Sequence, residues 1–295
     1  MHNLLTLISN PETPALTDDI VSAYASRLDG VTAISWLSED IAADIFFDGD
    51  LQQAKDDLSA DLLTEKFDFG FQQTDQRGKK LLVADMDSTI IQCECIDELA
   101  DFAGLKAEVS AITEAAMQGH LDFEQTLKDR VALLAGMDAA VLDRVYKERV
   151  KLMPGAVTLI KTMNANGANT VLVSGGFTFF TSKIAKLTGF QVNRGNTLDI
   201  KDGKLTGNVL PPIVDSTTKL DSLKEFKEKA GLSDHEIVAV GDGANDISMI
   251  QAAGLGIAYH GKAAVTEAAE IALKHADLTA LLYLQGYSDT DFVTE

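Results

Sequence analysis

The sequence predicts an α/β fold: a doubly wound, mostly parallel sheet with a helical cap insertion, preceded by a small α+β domain. Short apolar strands alternate with amphipathic helices through most of residues 77–295, which is typical of a parallel sheet covered by helices. Residues 94–153 interrupt that alternation, because their apolar residues recur only with the period of a helix. Residues 1–76 follow a different order of elements, so we predict that they form a separate domain.

The composition of the 295-residue chain is that of a globular protein, with 46% hydrophobic and 24% charged residues. The sequence contains no apolar run of roughly 18 residues, as a membrane span would need, and its N-terminus does not resemble a signal peptide. The two cysteines, Cys93 and Cys95, are too close for an ordinary disulfide and lack the second pair that a zinc site needs. We therefore predict a reduced, cytoplasmic protein.

The formal charge of −20 disfavours nucleic acids and membranes as partners, because both bind basic surfaces. Solubility is the simplest consequence of such a charge. If the substrate is an anion, a metal ion and a few local cations must reverse the field inside its site.

The first predicted domain has the element order βαββαβ. Its strands are predicted at residues 3–8, 31–37, 41–47 and 67–72, and its helices at 17–28 and 51–66. This order is that of ferredoxin-like folds, and it resembles the ACT-type module that binds amino acids or forms dimers. The resemblance implies a homodimer through this domain, or a sensor function in which the domain binds serine. The polar residues 72–78 are predicted to be the linker to the second domain.

The second domain opens with a short apolar strand, residues 81–84, which ends in Asp85 and Asp87. Side chains at i and i+2 of a strand point to the same side, so both carboxylates can face the crevice beyond its carboxyl end. Two carboxylates this close need a cation or a shared proton. One can then act as nucleophile and metal ligand and the other as general acid. Two ordinary loop aspartates would give the same pattern.

The insertion between the first and second strands of this domain is predicted to be a four-helix cap. Its helices are predicted at residues 97–103, 105–117, 122–135 and 138–150. Such a cap would lie over the crevice and exclude water from it.

Two further polar segments follow apolar strands. Ser174, Gly175 and Gly176 are predicted to form a turn between a strand at 170–173 and a helix, where glycines and helix amides suit an anion. Residues 241–246 follow the strand at 237–240 and contain Asp242, Asn245 and Asp246, whose oxygen atoms suit Mg²⁺. Lys219, before a helix predicted at 220–229, is a candidate phosphate ligand.

Together these segments resemble the ordered motifs of the haloacid-dehalogenase-like phosphatases. The motifs are Asp85-Met86-Asp87-Ser88-Thr89, Ser174-Gly175-Gly176-Phe177, Lys219 and Gly241-Asp242-Gly243-Ala244-Asn245-Asp246. Within the cap, residues 94–98 and 123–134 resemble the signatures of the phosphoserine phosphatase branch of that family. The resemblance covers roughly residues 80–284.

The resemblance implies hydrolysis of a small molecule, O-phosphoserine, in the last step of serine biosynthesis. It assigns the nucleophile to Asp85 and the general acid–base to Asp87, and Mg²⁺ to Asp85, the main-chain carbonyl of Asp87 and Asp242. The residues that it assigns to the substrate are Glu94, Met117, Phe123, Arg130, Ser174, Gly175, Lys219 and Asn245. Glu94 would bind the ammonium and Arg130 the carboxylate, while Met117 and Phe123 form an apolar wall. A phosphotransferase that uses homoserine or another alcohol as acceptor is the alternative.

Overall fold

The structure, a computed structural model, describes residues 2–109, 112 and 123–294. Its strands are β1 (Asn3–Ile8), β2 (Val31–Ser38), β3 (Ala42–Phe47), β4 (Asp68–Gln73), β5 (Leu81–Ala84), β6 (Asn169–Phe177), β7 (Val192–Lys201), β8 (Lys204–Leu210), β9 (Ile237–Gly241), β10 (Leu255–Tyr259) and β11 (Ile271–Leu273). Its helices are α1 (Asp18–Ala25), α2 (Leu51–Leu62), α3 (Cys95–Phe102), α4 (Phe123–Ala132), α5 (Ala140–Glu148), α6 (Ala156–Ala165), α7 (Thr178–Thr188), α8 (Ser216–Ala230), α9 (Ile247–Ala252), α10 (Ala263–Ala268) and α11 (Ala280–Leu284).

The N-terminal sheet has the order β2-β3-β1-β4, and each neighbouring pair is antiparallel. Alternate side chains of β1 point to opposite faces of the sheet, as the two-residue period of a strand requires, and pack into two different hydrophobic cores. Leu5 and Leu7 pack with the apolar faces of α1 and α2, whereas Ile8 packs into the core of the second sheet. The predicted ferredoxin-like order is therefore confirmed.

The second sheet has seven strands in the order β11-β10-β9-β5-β6-β7-β8. Its strands are parallel to their neighbours except for the hairpin of β7 and β8. The central strand β5 is completely buried and pairs with β9 on one side and β6 on the other. The predicted doubly wound, mostly parallel sheet is confirmed, and the carboxyl ends of β9, β5 and β6 lie side by side.

Three local predictions were wrong. Residues 174–177 belong to strand β6 rather than to a turn, because pairing with β7 resumes at Phe177 and Asn196 after an irregularity. The separate strand predicted at 190–193 is the beginning of β7, whereas the hairpin with an Asp-Gly turn predicted over 198–206 is confirmed by β7 and β8. Lys219 lies in the first turn of α8 rather than before it, since the Asp215 side chain caps this helix and accepts from Thr218 N at 2.8 Å.

Residues 72–78 are packed rather than a free linker. The Gln72 side chain donates to the Leu284 carbonyl at 2.9 Å. Arg77 donates to the Asp44 carboxylate and to the Tyr283 carbonyl, both at 2.7 Å. This segment therefore ties the N-terminal sheet to α11.

The described part of the cap rests on the β7–β8 hairpin. Gly136 N donates to the Leu205 carbonyl at 2.8 Å, Ala139 N to the Gly203 carbonyl at 2.8 Å, and Leu205 N to the Met137 carbonyl at 2.9 Å. Of the helix predicted at residues 105–117, residues 106–109 and 112 are helical, Leu105 is not, and residues 110, 111 and 113–117 lie outside the described residues. Within the described ranges, no helix combines the length and apolar character that crossing a bilayer requires.

Candidate active site

Asp85 and Asp87 lie just beyond β5, in nearly complete burial. Oδ1 of Asp85 accepts a hydrogen bond from Met86 N at 2.7 Å, and Oδ1 of Asp87 accepts one from Cys95 N at 3.3 Å. The second contact comes from the first residue of α3, so the cap helix orients Asp87. The two carboxylates are therefore held by different parts of the chain, one by the core and one by the cap.

Burial raises the pKa values of both carboxyl groups above those of ordinary aspartates. Desolvation, opposed by Lys219 and reinforced by Asp246 and Asp242, raises the pKa of Asp85 to about 8. Desolvation, reinforced chiefly by Glu94, raises the pKa of Asp87 well above its usual range. A carboxyl group that stays protonated near neutral pH can donate a proton, and Asp87 has this character.

Lys219 reaches the site from α8. Its ammonium lies 2.8 Å from Asp85 Oδ2 and 2.6 Å from Asp246 Oδ1. Burial by itself would lower the pKa of Lys219, but the charges of Asp246 and Asp85 outweigh it and raise that pKa. The side chain of Lys219 is therefore a fixed positive charge beneath the nucleophile candidate.

Three buried carboxylates, Asp85, Asp242 and Asp246, bring oxygen atoms within 4.8 Å of one another. Thr89 donates to Asp242 Oδ1 at 3.2 Å. Burial, with the charges of Asp246 and Glu94, raises the pKa of Asp242 to about 7. One buried ammonium thus faces three carboxylates, and a divalent cation with oxygen ligands fits this excess of negative charge. The Asp87 carboxylate is not part of this group.

The end of β6 places two consecutive glycines, Gly175 and Gly176, against the cleft. A Cβ on Gly176 would lie 2.5 Å from Asp87 Oδ2, and one on Gly175 would lie 3.0 Å from Phe123 Cζ. Glycine is therefore required at Gly176 by its close approach to the carboxylate. Ser174 is buried, and its Oγ accepts from Gly176 N at 2.9 Å.

The cap supplies the other wall of the cleft. Ser88, with a φ of 55°, donates its hydroxyl to Glu94 Oε1 at 2.8 Å. Arg130 is buried on α4, where its Nε donates to the Thr126 carbonyl at 3.3 Å. Desolvation lowers the pKa of Arg130, and the charges of Glu94, Asp97 and Asp87 oppose that shift. Met117 lies outside the described residues.

These side chains line one cleft of about 780 Å³, the open solvent at its mouth included. Its lining consists of Asp85, Asp87, Glu94, Ile96, Phe123, Leu127, Arg130, Ser174, Gly175, Gly176, Phe177, Asp242, Ala244 and Asn245. Lys219 reaches the cleft through Asp85. The structure therefore brings together the described residues that the sequence singled out.

The sequence analysis missed two apolar residues of this lining, Ile96 and Leu127. Leu127 lies one turn from both Phe123 and Arg130 on α4, so helical periodicity was the signal that could have found it. Thr89 was missed as a partner of Asp242, and its place in the first motif was the available signal.

Residues 82–251 match the family model described as haloacid dehalogenase-like hydrolase. The chain is 48% identical over 211 residues to a phosphoserine phosphatase of Streptomyces coelicolor, and the match covers 72% of this chain and 51% of that protein. The chain thus spans about half the length of this relative.

Solved structures resemble the whole chain and its catalytic part. A HAD family hydrolase from Salmonella enterica serovar Typhi is 28% identical with a TM-score of 0.84, over 96% of this chain and 98% of that one. A phospho-aspartyl intermediate analogue of phosphoserine phosphatase is 40% identical with a TM-score of 0.66, over 70% of this chain and 98% of that one. The family model extends from β5 to α9, more than half of the chain, and the chain belongs to the haloacid dehalogenase-like hydrolase family.

Proposed function

We propose that the protein hydrolyses O-phosphoserine to serine and inorganic phosphate through an aspartyl-phosphate on Asp85. The observation that carries the proposal is the composition of the cleft. It joins a buried carboxylate pair and the glycines at the end of β6 on the core side to Glu94 and Arg130 on the cap side. The likeness to a phosphoserine phosphatase and to a phospho-aspartyl intermediate analogue supports the same reaction.

In the first step, Asp85 attacks phosphorus as the bond from phosphorus to the seryl oxygen breaks. Its carboxylate is oriented by Met86 N and by the Lys219 ammonium. Lys219 opposes the raised pKa of Asp85, and a divalent cation beside it would hold the carboxylate in the ionised, nucleophilic form. Asp85, the main-chain carbonyl of Asp87 and Asp242 would hold Mg²⁺, which would neutralise charge on the phosphoryl oxygens.

Asp87 acts as the general acid in the first step and the general base in the second. Its raised pKa keeps a proton on the carboxyl group, and that proton goes to the departing seryl oxygen. The carboxylate that results then takes a proton from the water that attacks the aspartyl-phosphate. Free Asp85 and inorganic phosphate are restored.

The phosphoryl oxygens are bound by the Ser174 hydroxyl, the Gly175 amide and the Lys219 ammonium, where charge stabilisation contributes most. Asn245 lines the same cleft and would orient these groups. The burial of Ser174 and Lys219 keeps bulk water from competing for these contacts.

The amino-acid end of the substrate is bound by the cap. Glu94 would pair with the ammonium, and the Arg130 guanidinium would bind the carboxylate with two parallel hydrogen bonds. Phe123 lies against Gly175 at the end of β6, and by the family resemblance Met117 would be the other apolar side chain of this wall. The cap thus determines selectivity and the core the chemistry.

The test is release of phosphate from O-phosphoserine, O-phosphothreonine and p-nitrophenyl phosphate, with Mg²⁺ and with EDTA. The proposal predicts the highest kcat/KM for O-phosphoserine and loss of activity in EDTA that Mg²⁺ restores. Absence of phosphoserine hydrolysis would contradict it. Addition of homoserine distinguishes a phosphotransferase, whose rate of serine release would rise with the acceptor concentration.

We further propose two domains, an N-terminal domain of residues 1–76 and a second domain of residues 77–295 that carries the cap at about 94–153. We propose that the protein is cytoplasmic and that it forms a homodimer through the N-terminal domain. Strand β2 supports the dimer, because it is a sheet edge without charged residues and exposes Val31 and Ile34. Light scattering should give twice the chain mass for the wild type and a smaller mass for Ile34→Lys. A monomeric wild type would exclude the dimer.

A further inference from the structure

Asn196, on strand β7, has a completely buried amide side chain that joins two parts of the phosphate site. Its Nδ2 donates to the Gly175 carbonyl at 2.8 Å and to the Val214 carbonyl at 3.2 Å. Its Oδ1 accepts from Val214 N at 2.8 Å. Both ends of the amide are therefore used, and Val214 is held through its N–H and its carbonyl group.

The two partners of Asn196 belong to the elements that present the phosphate ligands. Gly175 lies near the carboxyl end of β6. Val214 immediately precedes Asp215, which caps α8 and whose carbonyl accepts from Lys219 N at 3.1 Å. Because a helix moves as a unit, a fixed Val214 also fixes the position from which Lys219 extends.

Strand β7 lies in close contact with the end of β6. A Cβ on Gly195 would lie 3.1 Å from the Gly176 carbonyl oxygen and 3.2 Å from Thr178 N. Asn196 is also the backbone register partner of Phe177. The end of β6 therefore rests directly on β7, and Asn196 is the side chain that extends this support to the start of α8.

We infer that Asn196 is a positioning residue, which sets the Gly175 amide and the Lys219 ammonium at the separation that the phosphoryl group requires. The inference rests on the proposed function, in which these two groups bind the phosphoryl oxygens. Aspartate has the same size and can accept from Val214 N, but as a carboxylate it has no hydrogen to donate to the two carbonyl groups. Serine keeps one donor and is too short to serve both partners.

The experiment compares Asn196→Asp and Asn196→Ser with the wild type in Mg²⁺ buffer, with p-nitrophenyl phosphate as substrate. The inhibition constants of inorganic phosphate and L-serine are measured, because each product reports one end of the cleft. We expect kcat to fall ~10–100-fold, as for a misplaced catalytic group, and the phosphate inhibition constant to rise about 10-fold. The L-serine constant should stay within about twofold, because Glu94 and Arg130 are untouched.

The matched control is Asn164→Asp. Asn164 also joins separate elements through its amide, since it donates to the Gly189 carbonyl at 2.8 Å and accepts from Thr170 Oγ1 at 2.9 Å. Thr170 lies near the start of β6, far from the cleft at its end. This variant should lower the melting temperature and leave both inhibition constants unchanged.

Unchanged phosphate inhibition in a folded Asn196→Asp protein would overturn the inference, and so would an equal weakening of phosphate and L-serine. Failure of the wild type to hydrolyse O-phosphoserine would instead contradict the proposed substrate. That result is distinguishable, because p-nitrophenyl phosphate and inorganic phosphate probe the core side of the cleft alone.

Discussion

The Lys219 ammonium lies 2.8 Å from Asp85 Oδ2, and the two side chains are 0% and 7% exposed. The same ammonium lies 2.6 Å from Asp246 Oδ1. A charge in such burial is tolerated only with its partners, and removal of one partner leaves the others uncompensated. Lys219 is therefore a structural cation as well as a candidate phosphate ligand.

Lys219→Met should lower the free energy of unfolding by ~3–5 kcal/mol, because Asp85 and Asp246 lose their buried cation. The double variant Lys219→Met/Asp246→Asn should recover part of this loss, since it removes one of the two unpaired charges. Urea denaturation measures both. Lys262→Met is the control, because its half-exposed ammonium lies 3.8 Å from Asp242 and should contribute less than ~1 kcal/mol. Equal losses in the two lysine variants would refute the structural role of Lys219.

Asp87→Asn should slow turnover of O-phosphoserine by ~10²–10⁴-fold, which is the usual contribution of a general acid–base group. Asp85→Asn should instead abolish turnover and the formation of an acid-stable radiolabelled protein, because an amide is not a competent nucleophile. Rapid-quench kinetics with radiolabelled phosphoserine distinguishes the two. Label on the Asp85→Asn protein, or wild-type turnover by Asp87→Asn, would reassign these residues.

We expect the buried Lys79 to make the free energy of unfolding depend on pH, independently of the active site. The residue is 5% exposed, and its ammonium donates to the Gln76 and His235 carbonyls. Burial, opposed by Glu270, lowers the pKa of Lys79 from 10.5 to about 8. At a pH between these two pKa values, Lys79 is protonated to a greater extent in the unfolded chain than in the folded protein. The destabilisation by Lys79 is therefore complete below pH 8 and disappears as the pH rises towards 10.5.

Urea denaturation of wild type and Lys79→Met at about pH 7 and pH 10 measures this effect. The free energy of unfolding of the wild type should rise relative to that of Lys79→Met by ~2–3 kcal/mol between these pH values. Lys80→Met is the control, because Lys80 is exposed and pairs with Glu236 at the surface. A difference between wild type and Lys79→Met that does not change with pH would exclude the shift.

The fold class and the family were predictable from sequence because both depend on local patterns. Buried strands are short apolar runs, and parallel strands carry their polar ends to one edge of the sheet. Asp85, Ser174 and Asp242 therefore fall together once β5, β6 and β9 are neighbours. Whether each of these side chains has its assigned role stays a prediction until the variants are measured.

The features that were missed depend on partners distant in sequence. The Gln72 side chain bonds to Leu284, 212 residues away, and Arg77 pairs with Asp44, 33 residues away. Both residues lie in a polar segment whose composition is typical of a linker, so the sequence alone predicted a linker there. Asn196 likewise belongs to no sequence motif, because its partners Gly175 and Val214 meet it only when β7 lies beside the end of β6.

The central claim is that the cap binds the amino acid and the core binds the phosphate of one substrate. Arg130 tests it, because its guanidinium lines the cleft from α4, whereas the phosphate ligands come from β6 and α8. Arg130→Lys should retain part of the phosphoserine activity of the wild type, since an ammonium keeps the charge but not the two parallel hydrogen bonds.

The decisive measurement is kcat/KM of wild type and Arg130→Ala for O-phosphoserine and p-nitrophenyl phosphate. Arg130→Ala should cost ~2–5 kcal/mol in kcat/KM for O-phosphoserine, the range for truncating one partner of a buried charge pair. It should cost much less for p-nitrophenyl phosphate, which has no carboxylate to bind. A loss by the same factor for both substrates would contradict the account, because Arg130 would then support the fold or the phosphate site rather than recognise the amino acid.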